Sequence, residues 1–154
     1  MKMKKFKFTL GRMLDYKDQL LDEEKNKLAL LRKKKQEIDD HIESLLRELD
    51  KISVTMRQEQ ERGITAFQLL SYESQRTNIR RQIEQLKKEQ ALAKLEVKRQ
   101  VQVVVQATQE VSKLDKLQDK QLEEYRKMVM KAEELEIEEF VSSRRIVTQS
   151  QAQE

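Results

Sequence analysis

The chain has 154 residues, of which 39% are charged and 5% aromatic, with two glycines, no proline and no cysteine. Proline and then glycine are the residues that break helices, so this composition suits long helices and not a compact globule; the lack of cysteine excludes disulfides, thiolate nucleophiles and soft metal ligands. The net charge of +4 comes from 32 basic and 28 acidic residues, mostly interspersed as on solvated helix faces, and no apolar run approaches the ~18 residues of a membrane span.

The first twelve residues carry Lys2, Lys4, Lys5, Lys7 and Arg12 without an acid, and Phe6, Phe8 and Leu10 alternate among them instead of following helical spacing. A first helix is expected over about 9–61. From Leu14 a seven-residue repeat runs through Lys17, Leu21, Glu24, Leu28, Leu31, Lys35, Ile38, Ile42, Leu45, Leu49, Ile52 and Met56. Ten of these thirteen positions are apolar, and a seam sustained over so many turns needs a facing helix whose holes receive its knobs.

The seam breaks at about 62–65. Gly63 can adopt the left-handed conformation that closes a helix. Thr65 and Gln68 have the spacing of a capping box, in which the hydroxyl accepts from a free amide and the glutamine reaches back to the cap amide. Ile64 and Leu69 stand where a hydrophobic staple would join. The chain should reverse here and continue as a second helix over about 66–141.

On that second helix the repeat resumes at Leu69 and runs through Tyr72, Ile79, Leu86, Val97, Val111 and Tyr125 to Leu135, with smaller side chains than on the first. Folding about Gly63 sets Leu49 near Ile79, Leu31 near Val97 and Leu14 near Leu114. The second helix therefore outruns the first. Beyond Gln118, Leu122, Tyr125, Met128, Val129 and Leu135 offer apolar surface that needs a ligand helix, self-association or the N-terminal segment folding back. Glu133, Glu134, Glu136, Glu138 and Glu139 crowd this end, and residues 142–154 are polar and unpatterned, as in a flexible tail. The expected fold is thus all-α, a long two-helix antiparallel coiled-coil hairpin with the second helix longer, forming a single unit over 1–141.

Chemistry-bearing patterns are missing. Gly11 and Gly63 lie in no phosphate-cradling loop. His41 is the only histidine and lacks the companions a base or ligand requires. The carboxylates form a solvated face, and a two-helix rod offers no pocket to perturb them. No enzyme activity, cofactor or metal is expected. Nucleic acid or an anionic membrane surface is a weaker alternative, because exposed aromatics are few and the positive charge forms no continuous stripe.

Three stretches carry a likeness to a known family: Phe6-Lys7-Phe8-Thr9-Leu10 followed by Met13-Leu14; the reversal Gly63-Ile64 with Tyr72 and then Ile83-Glu84-Gln85; and Lys113-Leu114-Asp115-Lys116-Leu117-Gln118-Asp119-Lys120-Gln121 with Glu124-Tyr125-Arg126. Together with the length and the single hairpin, they resemble the FliJ family, the coiled-coil stalk component of the flagellar type III export apparatus. Gln75 departs from the pattern, standing where some members have an aromatic, and the segment from Phe140 onward does not match a usual ending. The resemblance implies a cytoplasmic protein, peripheral at the inner face of the membrane. Its end bearing the chain termini would enter the hexameric export ATPase, and the turn end would approach the cytoplasmic part of the membrane export gate; export chaperones would be further partners. On that basis Phe6, Phe8, Leu10, Leu122, Tyr125 and Met128 are the expected ATPase-facing residues, and Tyr72, Ile79 and Leu86 the expected gate-facing ones. A stalk of a virulence-type secretion system would share the same physics.

Overall fold

The computed structural model describes residues 4–152 and contains two helices, α1 over Gly11–Arg62 and α2 over Ala66–Ala152, with no strand among the described residues. The fold is the all-α hairpin the heptads require, with the second helix the longer. Helix α1 begins two residues later than expected. A turn precedes it, in which the Gly11 amide donates to the Phe8 carbonyl at 3.0 Å and the Leu14 amide to the Leu10 carbonyl at 2.9 Å. Helix α2 runs on to Ala152, past the expected helix end near 141; no glycine or proline follows Gly63, so nothing interrupts its backbone ladder.

The reversal is built from the residues that the sequence nominates. Gly63 has φ = 90°, in the left-handed region, and its amide donates to the Gln60 carbonyl at 3.2 Å. The Gln68 amide donates to Thr65 Oγ1 and the Thr65 amide to Gln68 Oε1, each at 3.2 Å, completing a reciprocal capping box. Ile64 and Leu69, the staple pair, are both half-buried.

The chain divides into two compact units, one of Leu21–Ala107 and one of Met1–Leu20 with Thr108–Glu154. In the first, Ile38, Ile42 and Leu45 of α1 cluster with Ile79, Ile83 and Ala93 of α2, and Leu49, Ile52 and Leu86 pack against them. The buried side chains of this cluster keep 4–9% of their surface, and none of the described residues has a large side chain fully enclosed. Two helices can cover each knob from one side only, so stability accumulates over many shallow contacts.

Polar residues also occupy the seam of this unit. Gln90 Nε2 donates to Asp39 Oδ1 at 2.6 Å while Lys35 Nζ pairs with Asp39 Oδ2 at 3.0 Å. Further along, Gln100 Nε2 donates to the Glu24 carboxylate and, at 3.0 Å, to the Glu24 carbonyl. As the α2 number rises the α1 number falls, which fixes the antiparallel sense. Arg76 bridges to Glu73 at 2.9 Å, but its Nε is buried without a partner. Half-exposed pairs of this kind add little net stability; their effect is on register, because a shifted seam would oppose these groups to apolar side chains. The Gln90 hydrogen bond, aided by Lys35, holds the Asp39 carboxyl below its usual range, and the Gln100 hydrogen bond, aided by Lys27, does the same for Glu24.

Gly63→Ala should cost about 1–2 kcal/mol through backbone strain alone, since an added Cβ meets nothing within 4 Å. Ile83→Ala should cost about 2–4 kcal/mol, both read from urea melts followed at 222 nm. Because depressed carboxyl pKa values contribute stability above the unfolded value and lose it below, the melting temperature should hold from pH 7 to about 5. It should then fall as the pH drops below about 4, and Gln90→Leu with Gln100→Leu should shrink that acid-dependent part.

Candidate functional site

The second unit carries the terminal end of the molecule, and its construction starts from the alternating aromatics. Phe8 is buried and Phe6 half-buried. The Phe6 ring lies 5.6 Å from that of Tyr125, tilted by 47°, and the Tyr125 hydroxyl donates to the Lys4 carbonyl. Residues 4–10 thus form a non-helical strap held on α2. Phe6 and Phe8 are the covered side chains of the strap, and Lys7 between them is exposed, as are Lys4 and Lys5.

Below the strap, Leu14 and Val111 are buried, and Lys17 Nζ pairs with Glu110 Oε2 at 2.8 Å. That hydrogen bond raises the Lys17 pKa and lowers that of Glu110. Leu122, Tyr125 and Val129 are half-buried, and at Tyr125 the strap covers part of the surface left over by the short first helix. Met128 remains exposed, as does Leu10, and every residue from 133 to 152 is exposed. The structure therefore brings Phe6 against Tyr125, with Phe8 buried, Leu122 half-buried, and Leu10 and Met128 exposed.

The turn end differs. Ile79 is buried in the core cluster, and Tyr72 and Leu86 are half-buried on the same seam. These three side chains pack the hairpin. The outward apolar surface near the turn belongs instead to Phe67 and Leu70, which are 81% and 68% exposed. They lie one helical turn apart in a stretch, 63–72, that has no charged residue although 39% of the chain is charged. Heptad phase could have found them, because both fall off the seam set by Leu69 and Tyr72.

His41 is exposed on α1. No helix of the described residues is long and apolar enough to cross a membrane.

A family model for the flagellar FliJ protein matches residues 6–150. The chain belongs to the FliJ family. The match begins at Phe6, the first aromatic of the strap, and covers both helices almost to the end of α2. No curated protein and no solved structure matches the chain. Membership supports a role connected with flagellar protein export, in a family of non-catalytic components of the export apparatus.

Among the described residues, the strap meets Tyr125 through the Phe6 ring contact and the hydroxyl hydrogen bond to the Lys4 carbonyl, which gives a direct test. Tyr125→Phe and Phe6→Ala should each speed tryptic cleavage after Lys4, Lys5 and Lys7 by several-fold, as expected from losing about 1 kcal/mol of local stabilisation, while ellipticity at 222 nm stays unchanged.

Proposed function

We propose that this FliJ-family chain is a stalk of the flagellar type III export apparatus, binding and stimulating the export ATPase ring with its terminal end and approaching the membrane export gate with its turn end. The observation that carries the proposal is the uneven coverage of α2. Where α1 and the strap end, the helix continues with exposed apolar side chains that a single chain cannot cover. A helix that presents apolar residues on several sides suits an encircling partner better than a flat one.

In this reading Phe6, Phe8, Leu10, Leu122, Tyr125 and Met128 form the ATPase-facing end, with the strap shaping the surface. Tyr72, Ile79 and Leu86 support the gate-facing end by holding the hairpin closed there, and Phe67 and Leu70 supply its outward contacts. Export chaperones are further partners. The chain acts without chemistry of its own, by holding neighbouring proteins in position.

The test is ATP turnover and ring assembly of the flagellar export ATPase with increasing amounts of the protein. Both should rise and saturate. Replacing Phe6 and Phe8 together by alanine should weaken the stimulation with little loss of helicity; if stimulation and helicity fall together, those residues hold the fold and the assignment fails. A virulence-type stalk would stimulate its own system's ATPase in preference. A rod binding nucleic acid or anionic membrane would show no stimulation, and an affinity falling steeply with salt.

A further inference from the structure

The last twenty described residues of α2 pose a separate question. Ile137, Phe140 and Val147 are 64%, 62% and 56% exposed and, with Arg144, follow one another at steps of three and four, so they lie on one helix face. Two shallow grooves flank Phe140 on this helix. One is lined by Glu133, Glu136, Ile137 and Phe140. The other is lined by Phe140, Val141, Arg144, Arg145, Thr148 and Gln149. The first set, and Val141, Arg144, Arg145 and Thr148 of the second, are each spaced i, i+3, i+4, i+7. That is the four-residue hole which a knob from a facing helix enters in a coiled coil.

The two holes differ in charge. Residues 133–139 hold five glutamates and no base, whereas 140–152 hold Arg144 and Arg145 and no acid. Their centres lie equally far along the chain from the Phe140–Val141 bond. A two-fold axis beside that bond, perpendicular to the helix, would bring the acidic hole of one chain level with the basic hole of another, and Phe140 of each copy to the middle. Arg145 would then lie on the same flank as Glu134 and Glu138 of the second copy and midway between them. A parallel pairing in register would instead oppose five glutamates to five glutamates.

We propose that the segment from about 130 to 152 is a self-association site, pairing antiparallel with the same segment of a second copy of this chain through Phe140 and reciprocal Arg145 to Glu134 and Glu138 ion pairs. The self-complementary charge pattern singles out a second copy among possible occupants, and it satisfies the requirement that an isologous interface match its own surface. Arg144 lies 5.5 Å from the centre of the Phe140 ring in the same chain, so the face already pairs a cation with its central aromatic. The interface draws on the same uncovered end of α2 as the export reading, but it is tested separately, because self-association needs no other protein.

Sedimentation equilibrium of the full chain over a range of concentrations at low salt tests it, with no ATPase or membrane present. A monomer–dimer equilibrium is expected, weakened by salt. Phe140→Ala and Arg145→Glu should each weaken it by about tenfold or more, and Glu134→Arg with Glu138→Arg should restore it in the Arg145→Glu chain. All these positions are exposed and away from the seam, so ellipticity at 222 nm should not change. A chain that stays monomeric at every concentration overturns the proposal, and so does association indifferent to Phe140→Ala. Loss by Arg145→Glu that the reversed glutamates do not rescue overturns the antiparallel pairing. Amide protection of 130–152 that arises only when the ATPase or anionic vesicles are added assigns the face to that partner and overturns it likewise.

Discussion

A pair of helices can bury one stripe on each, and the rest of this molecule follows from how that stripe is filled. Apolar knobs such as Ile42, Leu45, Ile79 and Ile83 are covered from one side and remain slightly open, so no local cluster can dominate stability. Polar residues are admitted to the seam because water is always near, and several of them have specific companions: Asp39 with Gln90 and Lys35, Glu24 with Gln100, Lys17 with Glu110. These companions contribute more to register than to strength. A slip by one heptad would leave Asp39 and Glu24 opposite aliphatic side chains while keeping the apolar count nearly the same. The three-residue turn reinforces the same register from the other side, because Gly63 and the Thr65–Gln68 box fix where α2 begins.

The second consequence is that any length of α2 beyond its partner must find other cover or go without. The strap of residues 4–10 solves this for Tyr125 by a different geometry, a non-helical segment carrying Phe6 instead of a third helix. Past it, α2 has only its own backbone ladder to sustain it. The helix persists there with no breaker to interrupt it, and its Ile137, Phe140 and Val147 stay exposed.

Much of this was legible in the sequence because coiled coils translate spacing directly into position. The residues picked at steps of three and four from Leu14 to Met56 are all buried or half-buried, including the charged Lys17, Glu24 and Lys35, and so are those from Leu69 to Tyr125. The capping box could be read because it is local, made by residues three apart. The hold of the strap on Tyr125 could not, because Lys4 and Tyr125 meet only through the fold, and alternation in a seven-residue segment does not say which surface it will lie on. The mainly polar composition past residue 141 reads as a tail, yet the helix continues there, with no proline or glycine to interrupt its backbone ladder. At the turn, Tyr72, Ile79 and Leu86, expected at the gate-facing end from the family resemblance, lie in seam phase and pack the hairpin. Phe67 and Leu70, off that phase, are the ones the fold leaves outside.

The FliJ membership and the uneven coverage of α2 together make the two ends of this chain different in kind: one strapped, lysine-rich and extended by a bare helix, the other tightly turned with a charge-free, exposed aromatic. The stalk account requires the two ends to meet different neighbours. Photo-crosslinking in flagellated cells, from a reactive phenylalanine analogue placed singly at Met128 or at Phe67, tests this most directly. The account predicts that position 128 crosslinks to the export ATPase and position 67 does not. Crosslinking to the ATPase from position 67, or none from position 128 while the two proteins still co-purify, would contradict it.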